Sequence, residues 1–218
     1  MASDDFDLLE AWRAGDTEAG NALFQRHFDS ICRFFANKLG DDVDDLIQKT
    51  FLACVEGKER FRGDASFRGY LFGVARNVLR RYFRDKRYHG ERFDALVTSV
   101  HDMAPGPSIL IADKKEQQLL LQALRTIPLD LQITLELYYW EQMSASELGQ
   151  VMGLPEGTVR GRIRRAKQLL EESLNQLAES PQQLNSTMAD LDGWARSLRA
   201  HALAQGKDKG KRKRSRKS

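Results

Sequence analysis

No proline occurs before Pro105, and the 218-residue chain holds only five, at positions 105, 107, 128, 155 and 181. Proline breaks a helix by removing a donor and clashing with the preceding turn. A hundred residues without it, rich in Leu, Ala, Arg, Glu and Gln, therefore favour helix throughout. Cysteine is scarce as well. Cys32 and Cys54 cannot build a disulfide scaffold, no CxxC or Cys/His cluster suggests zinc, and both fall on apolar faces as core thiols would. Long apolar runs are missing: Tyr70–Ala75 is about the longest, far short of the ~18 residues a membrane span needs. The opening Met-Ala-Ser-Asp-Asp-Phe-Asp is acidic where a signal peptide would be basic and then apolar, so the expected location is the cytoplasm. His27, His89, His101 and His201 are scattered, with no HExxH, Walker loop or clustered carboxylate pair. The sequence thus gives no catalytic residue, no metal ligand and no cofactor site.

What is present is charge, unevenly spread. The net charge is +3, but residues 207 to 218 carry eight Lys or Arg and one Asp, leaving 26 basic and 30 acidic groups in the rest. Within that acidic body, residues 58 to 92 hold eleven basic and four acidic groups, and residues 158 to 168 hold five basic and none acidic. Local basic patches on an acidic protein suit a polyanion, because phosphate contacts act through local counterion release.

Apolar spacing supports helix. Phe24, Phe28, Ile31, Phe35 and Leu39 recur at helical intervals, and Val43, Ile47, Phe51 and Cys54 continue the habit. No stretch is read as alternating with period two for long enough to argue a strand. Residues 96 to 112, containing Met-Ala-Pro-Gly-Pro-Ser, read as a flexible connector. The expected fold is all-α: two small helical domains, 1–95 and 113–178, joined by a 96–112 linker and followed by an extension from 179 to 218.

Each domain contains a basic helix. On a wheel with Val74 at zero, Phe67, Leu71, Ala75, Val78, Leu79 and Tyr82 fall between about 20° and 140°. Arg76, Asn77, Arg80, Arg81, Arg84 and Arg87 fall between about 200° and 340°. Phe61-Arg-Gly-Asp-Ala-Ser-Phe67 precedes this stripe, and arginines beside aromatics are the composition that stacks unpaired bases while tracking their backbone. For Phe67 and Tyr82 a place in the core is the better reading. In the second domain, Ser144-Ala-Ser-Glu147 is a capping box opening a helix that stops at Gly153. After Leu154-Pro155 a further helix carries a Val159, Ile163, Ala166, Leu170 seam, with Arg160, Arg164, Arg165 and Lys167 outside it. That order is a helix-turn-helix, whose second helix enters the major groove.

Four segments in order carry a family resemblance: Asp42-Val-Asp-Asp-Leu-Ile-Gln-Lys-Thr-Phe51, Phe61-Arg-Gly-Asp-Ala-Ser-Phe67, Gly73-Val-Ala-Arg-Asn-Val78 and Gly153-Leu-Pro-Glu-Gly-Thr-Val-Arg-Gly-Arg-Ile-Arg-Arg-Ala166. Over about residues 6 to 178 the chain resembles the extracytoplasmic-function (ECF) sigma factors of the sigma-70 family. The resemblance implies a sigma-2 domain at 1–95 and a sigma-4 domain at 113–178, directing core RNA polymerase to promoters. It implies docking on the polymerase β′ coiled coil through Asp42, Asp45, Leu46, Gln48, Lys49 and Phe51. Phe61, Arg62, Asp64, Ser66, Phe67, Arg76, Asn77, Arg80 and Arg84 would take the −10 element with its flipped base. Thr158, Arg160, Gly161, Arg164 and Arg165 would read the −35 element, with the turn beneath facing the β flap. Asp41, Asp42, Asp44 and Asp45 also suit a helix N-terminus, and their spacing does not match a calcium loop. An anti-sigma protein is a further partner class known in the family; promoter DNA and polymerase are the main ones, and no membrane insertion is implied.

Tyr70 and Arg81 depart from the family, which usually has Trp and an acidic residue there. The extension is also unusual. Ser180-Pro-Gln-Gln183 can cap a helix over about 181 to 205, with Leu184, Met188, Leu191, Ala195, Leu198 and Ala202 as its stripe. A lone helix of that length is marginal in water, so the expectation is a docked, modulating segment ending in a disordered basic tail. Two rival readings stand beside the sigma factor: a helix-turn-helix regulator without sigma activity, and a nuclease.

Overall fold

The computed structural model describes residues 4–39, 42–58, 66–86, 93–103 and 115–178, together with 180 and 193. Nine helices follow one another among these residues, with a single isolated bridge between Ser99 and Pro128 and no strand. The first unit comprises α1 (Asp5–Arg13), α2 (Thr17–Ala36), α3 (Val43–Gly57) and α4 (Phe67–Lys86). Short α5 (Val100–Met103) leads to a second unit of α6 (Lys115–Thr126), α7 (Leu129–Tyr139), α8 (Ala145–Met152) and α9 (Glu156–Leu177).

Local chemistry starts the helices where the sequence offers oxygen acceptors. Asp4 and Asp7 form a capping box on α1, and the Asp16 carboxylate accepts from the Glu18 and Ala19 amides at 2.9 and 3.1 Å on α2. Asp5 then reaches across to α2, accepting from Arg26 at 2.6 Å and pairing with His27 Nε2 at 2.7 Å. Leu9, Leu23, Ile31, Phe34, Phe35, Leu46, Ile47, Leu71, Phe72, Leu79 and Phe83 fill the core between these helices. Cys54 lies in it, and burial pushes its thiol up to about 12, which leaves it unreactive near neutrality. Cys32 is half-buried against the same core.

The two units are not separate bodies on a tether. Leu129, Ile133 and Leu137 of α7, Leu148 and Val151 of α8, and Val159 and Ile163 of α9 belong to the same apolar cluster as the first unit's core. A second cluster, led by Leu120, Leu124, Leu131, Leu135, Trp140, Leu170 and Leu174, fills the space among α6, α7 and α9. Helix α7 therefore has a core on each side. Its sequence, Leu-Asp-Leu-Gln-Ile-Thr-Leu-Glu-Leu over 129–137, does alternate with period two, contrary to the expectation that no stretch does. On a helix such alternation spreads apolar side chains all round the barrel, which suits only a helix covered on every side. All nine of those residues are buried.

The connector expected over 96–112 is structured in its first part. Ala95 and Val100 are fully buried, and the Thr98 and Ala95 carbonyls accept from the Leu129 and Asp130 amides at 3.0 and 2.9 Å. These bonds satisfy orphan donors at the α7 N-terminus, for which Pro128 supplies no side-chain cap. Residues 104–112, residues 61–64, Asp41, Arg87 and, apart from Gly193, the 181–205 segment with its basic tail lie outside the described residues.

Candidate nucleic-acid interface

Helices α8 and α9 form the helix-turn-helix. Ser144 caps α8: its Oγ accepts from the Glu147 amide at 3.2 Å, and its own amide donates to Glu147 Oε2 at 2.8 Å. That amide is the main reason the Glu147 carboxyl is held below its ordinary value. Gly153 ends α8 with φ of 67°, a left-handed conformation that any side chain would strain. Gly149 lets the turn close, since a Cβ there would lie 2.7 Å from the Leu154 carbonyl oxygen. The tight turn seats α9 with Val159, Ile163, Ala166 and Leu170 buried, as the seam predicts.

The opposite side of α9 is open. Thr158, Arg160, Arg164 and Arg165 are exposed and Gly161 is half-buried. Arg160 is steadied by Glu156 one turn back, donating to its Oε1 from Nε at 3.0 Å and Nη2 at 2.6 Å. Lys167 does not join this face; its ammonium lies over the rings of Tyr138 and Tyr139, 5.7 and 5.1 Å from their centroids.

Helix α4 presents the second basic surface. Asn77, Arg80, Arg81, Arg84 and Asp85 line a shallow open groove. Asn77, Arg81 and Arg84 are exposed, Arg80 is half-buried, and Arg81 leans towards Asp85 at 3.8 Å. Ser66, exposed at the start of α4, accepts from the Gly69 amide at 3.1 Å. Phe67 is buried between Phe24, His27 and Tyr70, with ring centroids 6.4, 5.8 and 6.3 Å away, so the structure places it in the core. Tyr70 fills its own slot above Gly57, where a Cβ would meet the phenol oxygen at 2.3 Å.

Arg76 differs from the rest of the stripe. Its Nε and Nη2 donate to Asp130 Oδ1 and Oδ2 at 3.2 and 2.7 Å, and both side chains are buried. Arg76 sits at about 200° on the α4 wheel, next to buried Phe72 at about 160°, so a second covering layer reaches it first. Asp130 of α7 belongs to that layer, and α8 lies beside it, with its Val151 carbonyl near Gly73 and its Gln150 against Gly69. Arg162 of α9 reaches the same Asp130 carboxylate at 3.6 Å. Two further carboxylates act alike. Glu136 accepts from Lys38 Nζ and from Asn37 Nδ2, and Glu141 accepts from Ser30 Oγ at 2.9 Å, Arg33 Nε at 3.1 Å and Arg68 Nη2 at 3.3 Å. None of these interface residues except Arg76 stands out in the sequence; acidic residues inside the apolar 129–137 run are the signal that could have marked Asp130 and Glu136.

The α3 face mixes exposed and buried positions. Asp45, Gln48 and Lys49 are exposed, with Asp45 paired to Lys49 at 2.7 Å, and Phe51 is half-buried. Leu46 is fully buried, so its packing is internal. Asp42 precedes α3 without capping it; its carboxylate accepts from Tyr82 Oη at 2.5 Å and Lys86 Nζ at 3.0 Å on α4. The Tyr82 bond, then the Lys86 bond, holds the Asp42 carboxyl below its ordinary value. Sequence reading missed Leu52, Val55 and Phe28, large apolar side chains 54, 42 and 45% exposed around the same face. Phe28 stacks on Phe51 at 6.1 Å.

Among the described residues no cluster of His, Cys, Asp and Glu could hold a metal ion, and no helix is long and apolar enough to cross a membrane. A capped helix-turn-helix and a second arginine-faced helix make this an all-helical DNA-binding protein of two units. Family comparison identifies both units: Sigma-70 region 2 matches residues 23–88 and Sigma-70, region 4 matches residues 117–170. The chain is 26% identical over 179 residues to the ECF RNA polymerase sigma-E factor of Haemophilus influenzae, spanning 78% of this chain and 95% of that protein. It is 25% identical to its namesake from Escherichia coli K12, over 78% and 94%. Two solved structures share the fold. One is CnrH in complex with the cytosolic domain of CnrY, at TM-score 0.58 and 23% identity, covering 80% of this chain and 99% of that one. The other is the sigma factor RpoE with the anti-sigma factor NepR from Bartonella quintana, at TM-score 0.53 and 19% identity, over 71% and 96%. The chain belongs to the ECF sigma factors of the sigma-70 family.

Proposed function

We propose that this sigma factor recruits core RNA polymerase to promoters through three surfaces of its two units. The exposed α9 face, Thr158, Arg160, Gly161, Arg164 and Arg165, reads the −35 element in the major groove. The open α4 groove, with Asn77, Arg80 and Arg84, tracks the −10 strand, and the loop from Phe61 to Ser66 takes the extruded base. Arg76 joins that surface when it is released. On α3, Asp45, Gln48 and Lys49, with Leu52 beside them, form the polymerase face, an apolar centre with a charged rim. Asp42 contributes by tying α3 to α4, and Phe51 by supporting Phe28.

The observation that carries the reading is the pair of arginine-faced helices, each presented by a different unit and each open at its outer edge. One helix-turn-helix suffices for a duplex-binding regulator; a second basic helix beside a base-capturing loop suits a strand that has been opened. The reading includes a cytoplasmic location, no enzymatic step, and modulation by the 179–218 extension. An anti-sigma protein is a further proposed partner, in keeping with the NepR complex of the related fold.

The test is run-off transcription of fragmented host genomic DNA by core polymerase with and without this protein, read by sequencing. Discrete new starts sharing −35 and −10 elements are expected. Specific duplex binding by the protein alone, with no new starts, would favour a regulator without sigma activity. A 1–178 truncation in the same assay tests the extension, and unchanged output across a titration would remove its modulating role.

A further inference from the structure

We propose that α1 positions the segment between α3 and α4 for −10 base capture: Arg13 holds the chain where it leaves α3, and Asp5, through His27 and Phe67, holds it where it enters α4. The proposal rests on the sigma-factor reading above and deepens it. Helix α1 precedes residue 23, where the region 2 match begins, and carries none of the residues assigned to DNA or polymerase.

The first anchor is the C-terminal turn of α1. Arg13 donates to the Lys58 carbonyl from Nε at 3.3 Å and Nη2 at 3.1 Å, while its Nη1 donates to Glu10 Oε1 at 2.7 Å. Lys58 is the C-cap of α3, where carbonyls lack partners within the helix and a cation is favoured. Two N–H groups of one planar guanidinium fix the direction of that carbonyl as well as its distance. Lys58 returns the contact: its Nζ donates to the Trp12 carbonyl at 3.4 Å and lies 5.4 Å from the Trp12 ring centroid. Trp12 lies close on α2 at Gly20, where a Cβ would stand 2.5 Å from the indole.

The second anchor is the N-terminal turn. Asp5 holds Arg26 and His27 of α2, and the His27 ring lies 5.8 Å from that of Phe67, the first residue of α4 and 3% exposed. Phe24 links the two anchors, with its ring centroid 5.1 Å from Trp12 and 6.4 Å from Phe67. Asp5 and Arg13 bound one nine-residue helix, about 12 Å apart along its axis at ~1.5 Å per residue, so α1 acts as a rigid spacer.

Residues 59–65 join the anchors, and among them are Phe61, Arg62 and Asp64. A segment whose ends are both set by one rigid helix gives up less freedom when a base enters it. Telling one base from another requires polar groups placed within about 0.5 Å. Losing an anchor therefore costs base selectivity before it costs binding, because phosphate contacts from the α4 arginines carry no sequence information.

The test uses holoenzyme assembled from core polymerase and the full chain. It is bound to forked promoter DNA carrying each of the four bases at the most selective −10 position, taken from aligned transcription starts. The ratio of matched to mismatched affinity is expected to fall about fivefold in Arg13→Ala and in Asp5→Ala. Scrambling the −35 element is expected to weaken both variants as much as wild type. Arg13→Lys, which keeps a charged donor for the Lys58 carbonyl, is expected to recover most of the lost ratio. Wild-type −10 selectivity in either folded variant would overturn the proposal. So would equal loss of −10 and −35 selectivity, which a general loosening of the fold produces. Should Arg13→Ala misfold, Asp5→Ala decides. If wild type gives no starts and no selective binding, the sigma reading fails and takes the proposal with it; a selective wild type with unaltered variants sinks the proposal alone.

Discussion

Lys38, just past the end of α2, and Glu136 of α7 form an ion pair with 0 and 2% of their side chains exposed. Burial lowers the Lys38 pKa, and Glu136 works against that shift. Lys38 Nζ also donates to the Phe34 carbonyl at 2.5 Å and lies 4.4 Å from the Phe34 ring centroid. Either partner alone would be a stranded buried charge. Lys38→Met and Glu136→Leu are each expected to cost about 3–5 kcal/mol in urea unfolding, while the double variant recovers most of the loss. Additive losses in that cycle would show that the pair is not an isolated unit.

The Tyr82–Asp42 bond makes a prediction about acid. Asp42 has a folded pKa below its unfolded one, chiefly through the Tyr82 hydroxyl and then through Lys86. Its contribution to stability is therefore complete above the ordinary carboxylate range and is lost as pH falls through the depressed folded value. Tyr82→Phe keeps the ring, over which the Lys86 ammonium sits 4.7 Å from the centroid, and deletes only the donor. Carboxyl NMR titration is expected to show Asp42 rising towards its ordinary pKa in this variant. An unmoved Asp42 would mean that Lys86 alone sets it.

The helix-turn-helix depends on two glycines for different reasons. Gly153→Ala strains a left-handed residue and is expected to cost about 1–2 kcal/mol, with the fold retained. Gly149→Ala forces a Cβ to within 2.7 Å of the Leu154 carbonyl oxygen, which backbone must move to relieve. It is expected to cost more in denaturant unfolding and to displace α9. Run-off transcription from promoters with intact and scrambled −35 elements would detect this as a loss of −35 dependence in Gly149→Ala. Equal stability of the two variants would rule out the close approach as the constraint.

Much of this was legible because it is local. The Ser144–Glu147 capping box, the Gly153 stop and the Val159–Leu170 seam each depend on residues within a few turns of one another. The burial of Arg76 was not legible. A helical wheel divides α4 by its own side chains, whereas the partner that covers Arg76 stands 54 residues further along. Helix α7 shows the converse: its alternating pattern is informative only once both of its neighbours are known. Leu46 and Leu52 illustrate a third limit, since both lie on α3 and only packing reveals that Leu46 is internal and Leu52 open.

Arg84 and Arg76 should behave differently although they share a stripe. Arg84 is exposed, so Arg84→Ala is expected to leave the unfolding midpoint unchanged. Its forked-DNA binding should weaken with a salt slope shallower by about one. Arg76→Ala strands the Asp130 carboxylate in a buried site and is expected to destabilise the protein by about 3–5 kcal/mol. Equal stability loss from both substitutions would contradict the burial of Arg76.

Leu52 provides the sharpest check on the polymerase face. It is 54% exposed on α3, on the same side as Asp45, Gln48 and Lys49, with Val55 and the Phe28–Phe51 stack nearby. Isolated exposed leucines are ordinary, but several large apolar side chains rimmed by charge mark a binding surface. Leu52→Arg removes apolar area from the middle of that patch and adds a charge that docking would have to desolvate. The side chain is more than half exposed and is not a member of either core cluster, so circular dichroism and the unfolding midpoint should match wild type. Co-migration with core polymerase on size exclusion is expected to be lost, while Lys49→Ala on the rim costs about 1 kcal/mol or less. Retained co-migration of a folded Leu52→Arg protein would move the docking surface off this face of α3.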